Sequence, residues 1–98
     1  MEKITWTEQA RDDLKSIHEY IYKDSSKYAD IVIDNIIELT ERLIEFPNSG
    51  RIVPELGNQS IREIIYGNYR IIYHIISNNI NIITVFHSSR FMSKEDFN

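Results

Sequence analysis

An arginine and a histidine interrupt an otherwise apolar run in the second half of this chain, GNYRIIYHI at residues 67–75. They are Arg70 and His74, and a further histidine, His87, ends the last apolar run. Imidazole acts as a general acid or base near neutral pH, and a guanidinium neutralises anionic groups such as phosphate. If the fold brings these side chains together, they could therefore transfer a proton or bind an anion.

Composition limits the other possibilities. Ninety-eight residues suffice for one hydrophobic core, so we expect a single domain over residues 1–98. The chain has no cysteine, which rules out disulfides and thiolate metal sites. The net charge of -4 argues against a protein whose whole surface binds nucleic acid. The excess of acidic residues lies in residues 1–50, which hold 6 basic and 11 acidic residues. No apolar run reaches the roughly 18 residues of a membrane span, so we expect a cytoplasmic protein without a membrane partner.

Hydrophobic periodicity predicts an α+β fold in which an N-terminal strand and a two-helix hairpin pack on a small antiparallel sheet. Alternation in KITW indicates a strand, and Thr7 can cap the helix that follows. Later runs rich in Ile and Tyr, separated by the two-residue turns GN and NN, indicate a C-terminal three-stranded meander. The predicted elements are a strand at 3–6, helices from the Thr7 cap to about Tyr22 and from Ser25 or Ser26 to Phe46, and strands at 61–66, 69–77 and 80–87.

The two-residue turns also fix a register, which sorts the side chains onto two faces because paired residues share a face. In this register Arg70 lies directly opposite His87. The core face would hold Arg62, Ile64, Tyr66, Tyr69, Ile71, Tyr73, Ile75, Ile80, Ile82, Thr84 and Phe86. The second face would hold Ile61, Glu63, Ile65, Arg70, Ile72, His74, Ile76, Asn81, Ile83, Val85 and His87. Burying the charged members of the second set without partners would cost several kcal/mol, so we expect that face to be partly open.

A metal site is not expected. His74 lies four residues along the strand from Arg70, about 13 Å at the usual strand rise, and so cannot share an ion with His87. No cofactor is expected either.

Several motifs, in order along nearly the whole chain, resemble the RelE/ParE superfamily of toxins from type II toxin-antitoxin modules, and the ParE-like branch in particular. They are ARDDLKSIHEYI, FPNSGRIVPEL, IREIIYGNYRIIYHI and ITVFHSSR. The resemblance implies a helical hairpin on a small antiparallel sheet, and a toxin neutralised by a cognate antitoxin whose C-terminal segment wraps it in a hetero-oligomer. RelE-like members cut mRNA on the ribosome, whereas ParE-like members are described as inhibitors of DNA gyrase.

The match to the nuclease branch is incomplete. Arg70 corresponds to the strand arginine common to both branches, and Arg90 to the arginine after the last strand. The lysines of nuclease members fall near Ile61 and Glu63, and neither is basic. The tail tyrosine of some nucleases has no counterpart.

The sequence therefore favours a ParE-like, plasmid-stabilisation type of toxin that binds a target such as DNA gyrase and is not an enzyme. Its candidate binding residues are Arg70, His74, His87, Arg90 and Glu63. The first alternative is a ribosome-dependent mRNA endoribonuclease in which His87 is the acid or base and Arg70 and Arg90 stabilise charge. A further alternative is a degenerate, non-toxic module that only binds an antitoxin. A purely structural role is also open for Arg70, as a partner of Glu63 across the sheet, and Arg51 could bond Glu55.

Overall fold

The computed structural model describes residues 3–88, and their elements follow the predicted order. Two helices pack on one face of a five-stranded sheet, which confirms the α+β prediction. No helix within residues 3–88 is both long enough and apolar enough to cross a membrane. The elements are β1 (Lys3–Trp6), α1 (Glu8–Tyr22), α2 (Ser26–Glu41), a single 3-10 turn (Arg42–Ile44), β2 (Arg51–Ile52), β3 (Ile61–Tyr66), β4 (Tyr69–Ile76) and β5 (Asn79–His87).

The strands lie in the order β1-β5-β4-β3-β2, so β1 and β2 form the two edges of the sheet. β1 runs parallel to β5, and the other neighbours are antiparallel. β2 was not predicted, because its two residues lie in a loop that contains two prolines and shows no alternation of its own.

Both helices begin where the sequence predicts. The Thr7 hydroxyl accepts a hydrogen bond from the Ala10 amide at 3.0 Å, and the Ser25 hydroxyl accepts one from the Tyr28 amide at 3.1 Å. Such caps satisfy amides that the first helical turn leaves without partners. The predicted end of α2 at Phe46 is wrong, since the α-helix ends at Glu41 and the chain tightens into the 3-10 turn.

The main core lies between the helices and the sheet. Its members come from both helices, the 3-10 turn and the central strands, as expected where helices cover one face of a sheet. They are Ala10, Val32, Ile36, Leu43, Ile71, Tyr73, Ile80, Ile82 and Val85.

The predicted register of the first hairpin is confirmed, with Tyr66 opposite Tyr69 and Ile65 opposite Arg70. The predicted register of the second hairpin is wrong. Its turn residues are Ser77 and Asn78, and Ser77 adopts φ +53°. The predicted and observed registers differ by two residues near the turn, so both place the same side chains on the core face and alternation cannot distinguish them.

A β-bulge changes the second half of β5. The pairing of β4 with β5 skips Ile83, so that Ile72 lies opposite Thr84. Beyond the bulge the faces of β5 are reversed relative to the prediction. Val85 joins the main core, whereas Phe86 packs with Ile72 in a second, smaller core on the opposite face of the sheet.

Candidate functional site

Arg70 holds two carboxylates from its place in β4. Its Nη1 and Nη2 atoms donate to the two carboxylate oxygens of Glu55 at 2.8 and 3.0 Å. Its Nε atom donates to the Glu63 carboxylate at 2.6 Å, which Nη2 also contacts. All three guanidinium nitrogens are therefore engaged, in the fork-like geometry that makes arginine–carboxylate pairs strong.

Glu63 is the buried member of this network. It is 1 % exposed, and besides Arg70 it accepts a hydrogen bond from Nε of Arg51 at 2.5 Å. Two arginines and two glutamates give the cluster a formal charge of zero. An isolated carboxylate at this depth would be very costly, so the two arginines are what allow Glu63 to be buried as a charge.

The network favours the charged forms of Glu55 and Arg70. The pKa of Glu55 is lowered, chiefly by its hydrogen bonds with Arg70, which outweigh the opposing effect of burial. The pKa of Arg70 is raised, and the hydrogen bonds with Glu55 are again the largest cause.

The loop after β2 closes over this part of the sheet. Val53, which is fully buried, packs with Ile72 and Phe86, and the ring of Phe86 lies 5.2 Å from the Arg70 guanidinium carbon. Arg70 is consequently only 8 % exposed. The face that was expected to be open is therefore covered at Arg70, although Ile65 on the same face remains exposed.

His87 lies elsewhere. It is paired with Tyr69, and the two rings meet edge to face with centroids 5.7 Å apart. Both side chains line a cleft of about 520 Å³ together with Tyr20 of α1, on the helical side of the sheet. The predicted pairing of Arg70 with His87 is wrong, because the bulge turns His87 to the face opposite Arg70.

The remaining candidates do not join the network in the described part of the chain. His74 is half-buried and pairs with Ile61 and Asn81. Along β4 it lies two residues further from Arg70 than Ile72 does. Arg90 lies outside the described residues. No group of three or more His, Asp or Glu side chains within residues 3–88 is arranged to hold a metal ion.

The pairing of Arg70 with Glu63 was anticipated as a structural alternative, whereas the role of Glu55 was missed. Arg51 bonds Glu63 rather than Glu55. One signal was available in the sequence: Glu55 and Glu63 are the only acidic residues between positions 46 and 94. A strand arginine that is to be buried in this region must therefore draw its partners from these two.

Residues 4–92 of this chain match the family model of the ParE toxin of the type II toxin-antitoxin system parDE. The chain belongs to the ParE toxin family. No curated protein matches it with significance. The Arg70 network and the cleft at His87 are thus features of a ParE-family toxin.

Solved structures of toxin-antitoxin systems share the fold of this ParE-family chain. A chain of the chromosomal ParDE system from P. aeruginosa is 20% identical, with a TM-score of 0.72 over 89% of this chain and 96% of that one. A chain of the RelBE2 complex from Mycobacterium tuberculosis is 19% identical, with a TM-score of 0.54 over 87% and 95%. A chain of the YoeB-YefM complex from Staphylococcus aureus is 21% identical, with a TM-score of 0.53 over 86% and 94%. At these identities the likeness concerns the fold.

Proposed function

We propose that this ParE-family toxin arrests growth by binding a cellular target, with DNA gyrase as the candidate, and does not cleave RNA. We further propose that it belongs to a plasmid-stabilisation type of module in which a cognate antitoxin neutralises it in the cytoplasm. The single observation that carries the choice between binding and cleavage is the state of Arg70. Its guanidinium is held by Glu55 and Glu63 and is almost completely buried.

Cleavage of RNA by attack of a 2'-hydroxyl needs cations around the phosphate and a proton acceptor within hydrogen-bond reach. To contact a phosphate, Arg70 would have to leave two carboxylates, and Glu63 would then remain buried beside the incoming anion. His87, the acid or base of the nuclease alternative, lies on the other face of the sheet. The described residues therefore favour a binding protein over a nuclease.

An antitoxin partner is supported by the family and by the similar structures, all three of which come from toxin-antitoxin systems or complexes. Exposed apolar side chains on the helical layer, among them Tyr20 at 71 % and Tyr28 at 55 %, are consistent with a surface covered by another protein. We expect a toxin-antitoxin hetero-oligomer. Co-expression with the product of the neighbouring reading frame should restore growth, and a chain that purifies alone from that co-expression would contradict the proposal.

The target is tested with purified chain in two parallel assays. Supercoiling by DNA gyrase should fall as the chain is added, while the 5' ends of mRNA incubated with ribosomes should stay unchanged. Ribosome-dependent cleavage by the wild type, lost in a folded His87→Ala variant, would overturn the proposal in favour of an endoribonuclease. If induction of the chain alone leaves growth unaffected, the third alternative, a degenerate binding module, replaces both.

A further inference from the structure

A cleft on the helical side of the sheet brings together side chains from three elements. Ser16, Ile17 and Tyr20 of α1 line it with Tyr69 at the start of β4 and His87 at the end of β5, around a volume of about 520 Å³. Ligand sites in proteins commonly have volumes of about 300 to 1,000 Å³. We refer to this space as the His87 cleft, and it is large enough to hold a group of a binding partner.

Contacts around the His87 cleft fix its walls. Tyr69 and His87 are paired in the sheet and their rings meet edge to face, and the Ser88 amide donates to the Asn68 carbonyl at 2.6 Å beside that pair. On the other wall, the Asp13 carboxylate ties α1 to β5 through two hydrogen bonds. Groups that are held in place before binding lose little conformational freedom when a partner arrives.

The lining of the His87 cleft is aromatic and, apart from the imidazole, carries no group that is charged at neutral pH. No carboxylate, lysine or arginine among residues 3–88 lines it. Tyr20 is 71 % exposed, so its ring is open to a partner. Burial raises the pKa of the Tyr69 hydroxyl, and the Tyr20 and Tyr28 phenols add to that effect, so this hydroxyl stays protonated and can donate a hydrogen bond. The cleft therefore offers aromatic rings for stacking and phenolic hydroxyls for hydrogen bonds.

An unpaired base of a nucleic acid matches this lining poorly. Bases that stack on aromatic side chains are carried on phosphates, and proteins bind those phosphates with lysine and arginine. The described lining supplies neither, and the half of the chain that contains α1 has an excess of acidic residues. An aromatic side chain of a protein brings a ring without a phosphate, so the lining favours a protein as the partner.

The state of the candidate binding residues favours the target as that protein. Arg70 and Glu63 are buried and bonded to each other, so a partner would have to break their network to reach them. His87, in contrast, is exposed and lines the cleft. Tyrosines in such pockets are typical of the few residues that carry most of the binding free energy of an interface. A toxin that acts by binding can therefore hold its target here.

We propose that the His87 cleft is the anchor site for the target, and that an aromatic side chain of the target protein enters it beside Tyr20, Tyr69 and His87. This inference rests on the proposed function, in which the toxin acts by binding a protein. It adds where the target is held and by which kind of side chain.

Two exposed tyrosines of α1 give a matched test. Tyr20 lines the cleft, whereas Tyr22, which is 57 % exposed, does not line it and has its ring 5.7 Å from that of His18. Tyr20→Ala should raise the concentration of chain that halves supercoiling by DNA gyrase by about tenfold or more, and Tyr22→Ala by less than about threefold. Equal inhibition by the wild type and a folded Tyr20→Ala variant would overturn the inference and leave the proposed function intact.

Filling the cleft tests the same site without the removal of a ring. Ser16 is exposed and lines the cleft, so Ser16→Trp should weaken inhibition as Tyr20→Ala does. Ser26→Trp, at the exposed first residue of α2, is the control and should inhibit like the wild type. Circular dichroism checks that each variant is folded. Full inhibition by a folded Ser16→Trp variant would contradict the anchor site.

The Ile17 methyl group reports on the kind of side chain that enters. An aromatic ring shields nuclei that lie above its face, so the NMR resonance of this methyl group should move upfield when the wild-type chain binds DNA gyrase. The Ile76 methyl group, exposed at the end of β4, should not move. An unchanged Ile17 resonance in the complex would exclude an aromatic side chain in the cleft.

Growth arrest on induction gives a measurement that does not depend on gyrase. If the wild type arrests growth without inhibiting supercoiling, gyrase is excluded as the target, and Tyr20→Ala should still arrest growth less than Tyr22→Ala at equal levels of folded chain. Equal arrest by these two variants would overturn the inference. If the wild type does not arrest growth, both the inference and the proposed function fail.

Two further results would assign the His87 cleft to another partner and so overturn the inference. One is a rise of about tenfold in the Kd for the antitoxin in Tyr20→Ala while growth arrest stays unchanged. The other is binding of a labelled single-stranded oligonucleotide by the wild type that is lost in Tyr20→Ala and kept in Tyr22→Ala.

Discussion

The Asp13 carboxylate on α1 accepts a hydrogen bond of 2.5 Å from the Thr84 hydroxyl on β5, and the same oxygen accepts one of 3.0 Å from the Val85 amide. Val85 lies two residues beyond Ile83, the residue that the β4–β5 pairing skips at the β-bulge. Its amide meets a carboxylate of the helix that packs over it. Asp13 therefore couples the position of α1 to the irregular part of β5.

Replacement of Asp13 should loosen this coupling. In Asp13→Ala the Thr84 hydroxyl and the Val85 amide, both in buried residues, lose their acceptor, and we expect the free energy of unfolding to fall by about 1–3 kcal/mol. Urea denaturation at neutral pH measures this change. Asp12→Ala, at the neighbouring exposed position, should change it by less than about 0.5 kcal/mol. Equal losses in the two variants would show that the hydrogen bonds do not carry the effect.

Gly50 is required where the loop approaches the sheet. A Cβ atom at this position would lie 2.6 Å from the Glu63 carbonyl oxygen and 2.6 Å from the Tyr73 hydroxyl. That hydroxyl is fixed, since it accepts from the Gly50 amide and donates to the Pro47 carbonyl. Gly50→Ala should therefore destabilise the protein by about 1–3 kcal/mol or more.

Gly57 provides the control for that substitution. An added Cβ there meets nothing within 4 Å, so only its φ of +63° opposes alanine. We expect Gly57→Ala to cost about 1 kcal/mol, less than Gly50→Ala, in the same thermal or urea unfolding assay. A larger loss at Gly57 would mean that backbone conformation, and not the close approach, limits this loop.

The order of the elements could be predicted because each has a clear period and most have a recognisable start. The register of β4 with β5 could not, since a shift of two residues keeps the same side chains on the core face. The bulge lies next to Thr84 and Val85, which donate hydrogen bonds to Asp13 on α1. Asp13 is far away along the chain, and its helical neighbours do not indicate these partners. The face of His87, and with it the expected pair of Arg70 and His87, was wrong for this reason.

The Arg70 site could be predicted in part. The partner on the adjacent strand, Glu63, follows from the register of the first hairpin, which the GN turn fixes. Glu55 lies in a loop, where side-chain direction is not set by periodicity. Glu55 is indicated as a partner only because a buried arginine needs a carboxylate to neutralise it. The burial of Arg70 is known only from the structure.

The stability of the protein should depend on pH through Glu55. Its pKa in the folded state is lowered from the usual value of 4.5, so its contribution is complete above about pH 4.5 and is lost as the pH falls through the folded pKa. Glu55→Gln removes that contribution. The difference in unfolding free energy between wild type and variant should therefore be largest near pH 7 and shrink towards pH 3, whereas Glu45→Gln, at an exposed position, should show little difference at either pH. A difference for Glu55→Gln that does not change with pH would contradict this account.

Arg70 should contribute chiefly to the stability of the folded protein, and its effect on activity should follow from that contribution. Arg70→Met leaves the Glu63 carboxylate buried with Arg51 as its remaining partner, and we expect a loss of about 3–5 kcal/mol in unfolding free energy. Arg42→Met, which breaks the exposed pair with Glu38, should cost less than about 1 kcal/mol. Toxicity of Arg70 variants should then follow the folded fraction measured by circular dichroism. A stably folded Arg70→Met protein that has lost all activity would instead assign this arginine a direct part in the action of the toxin.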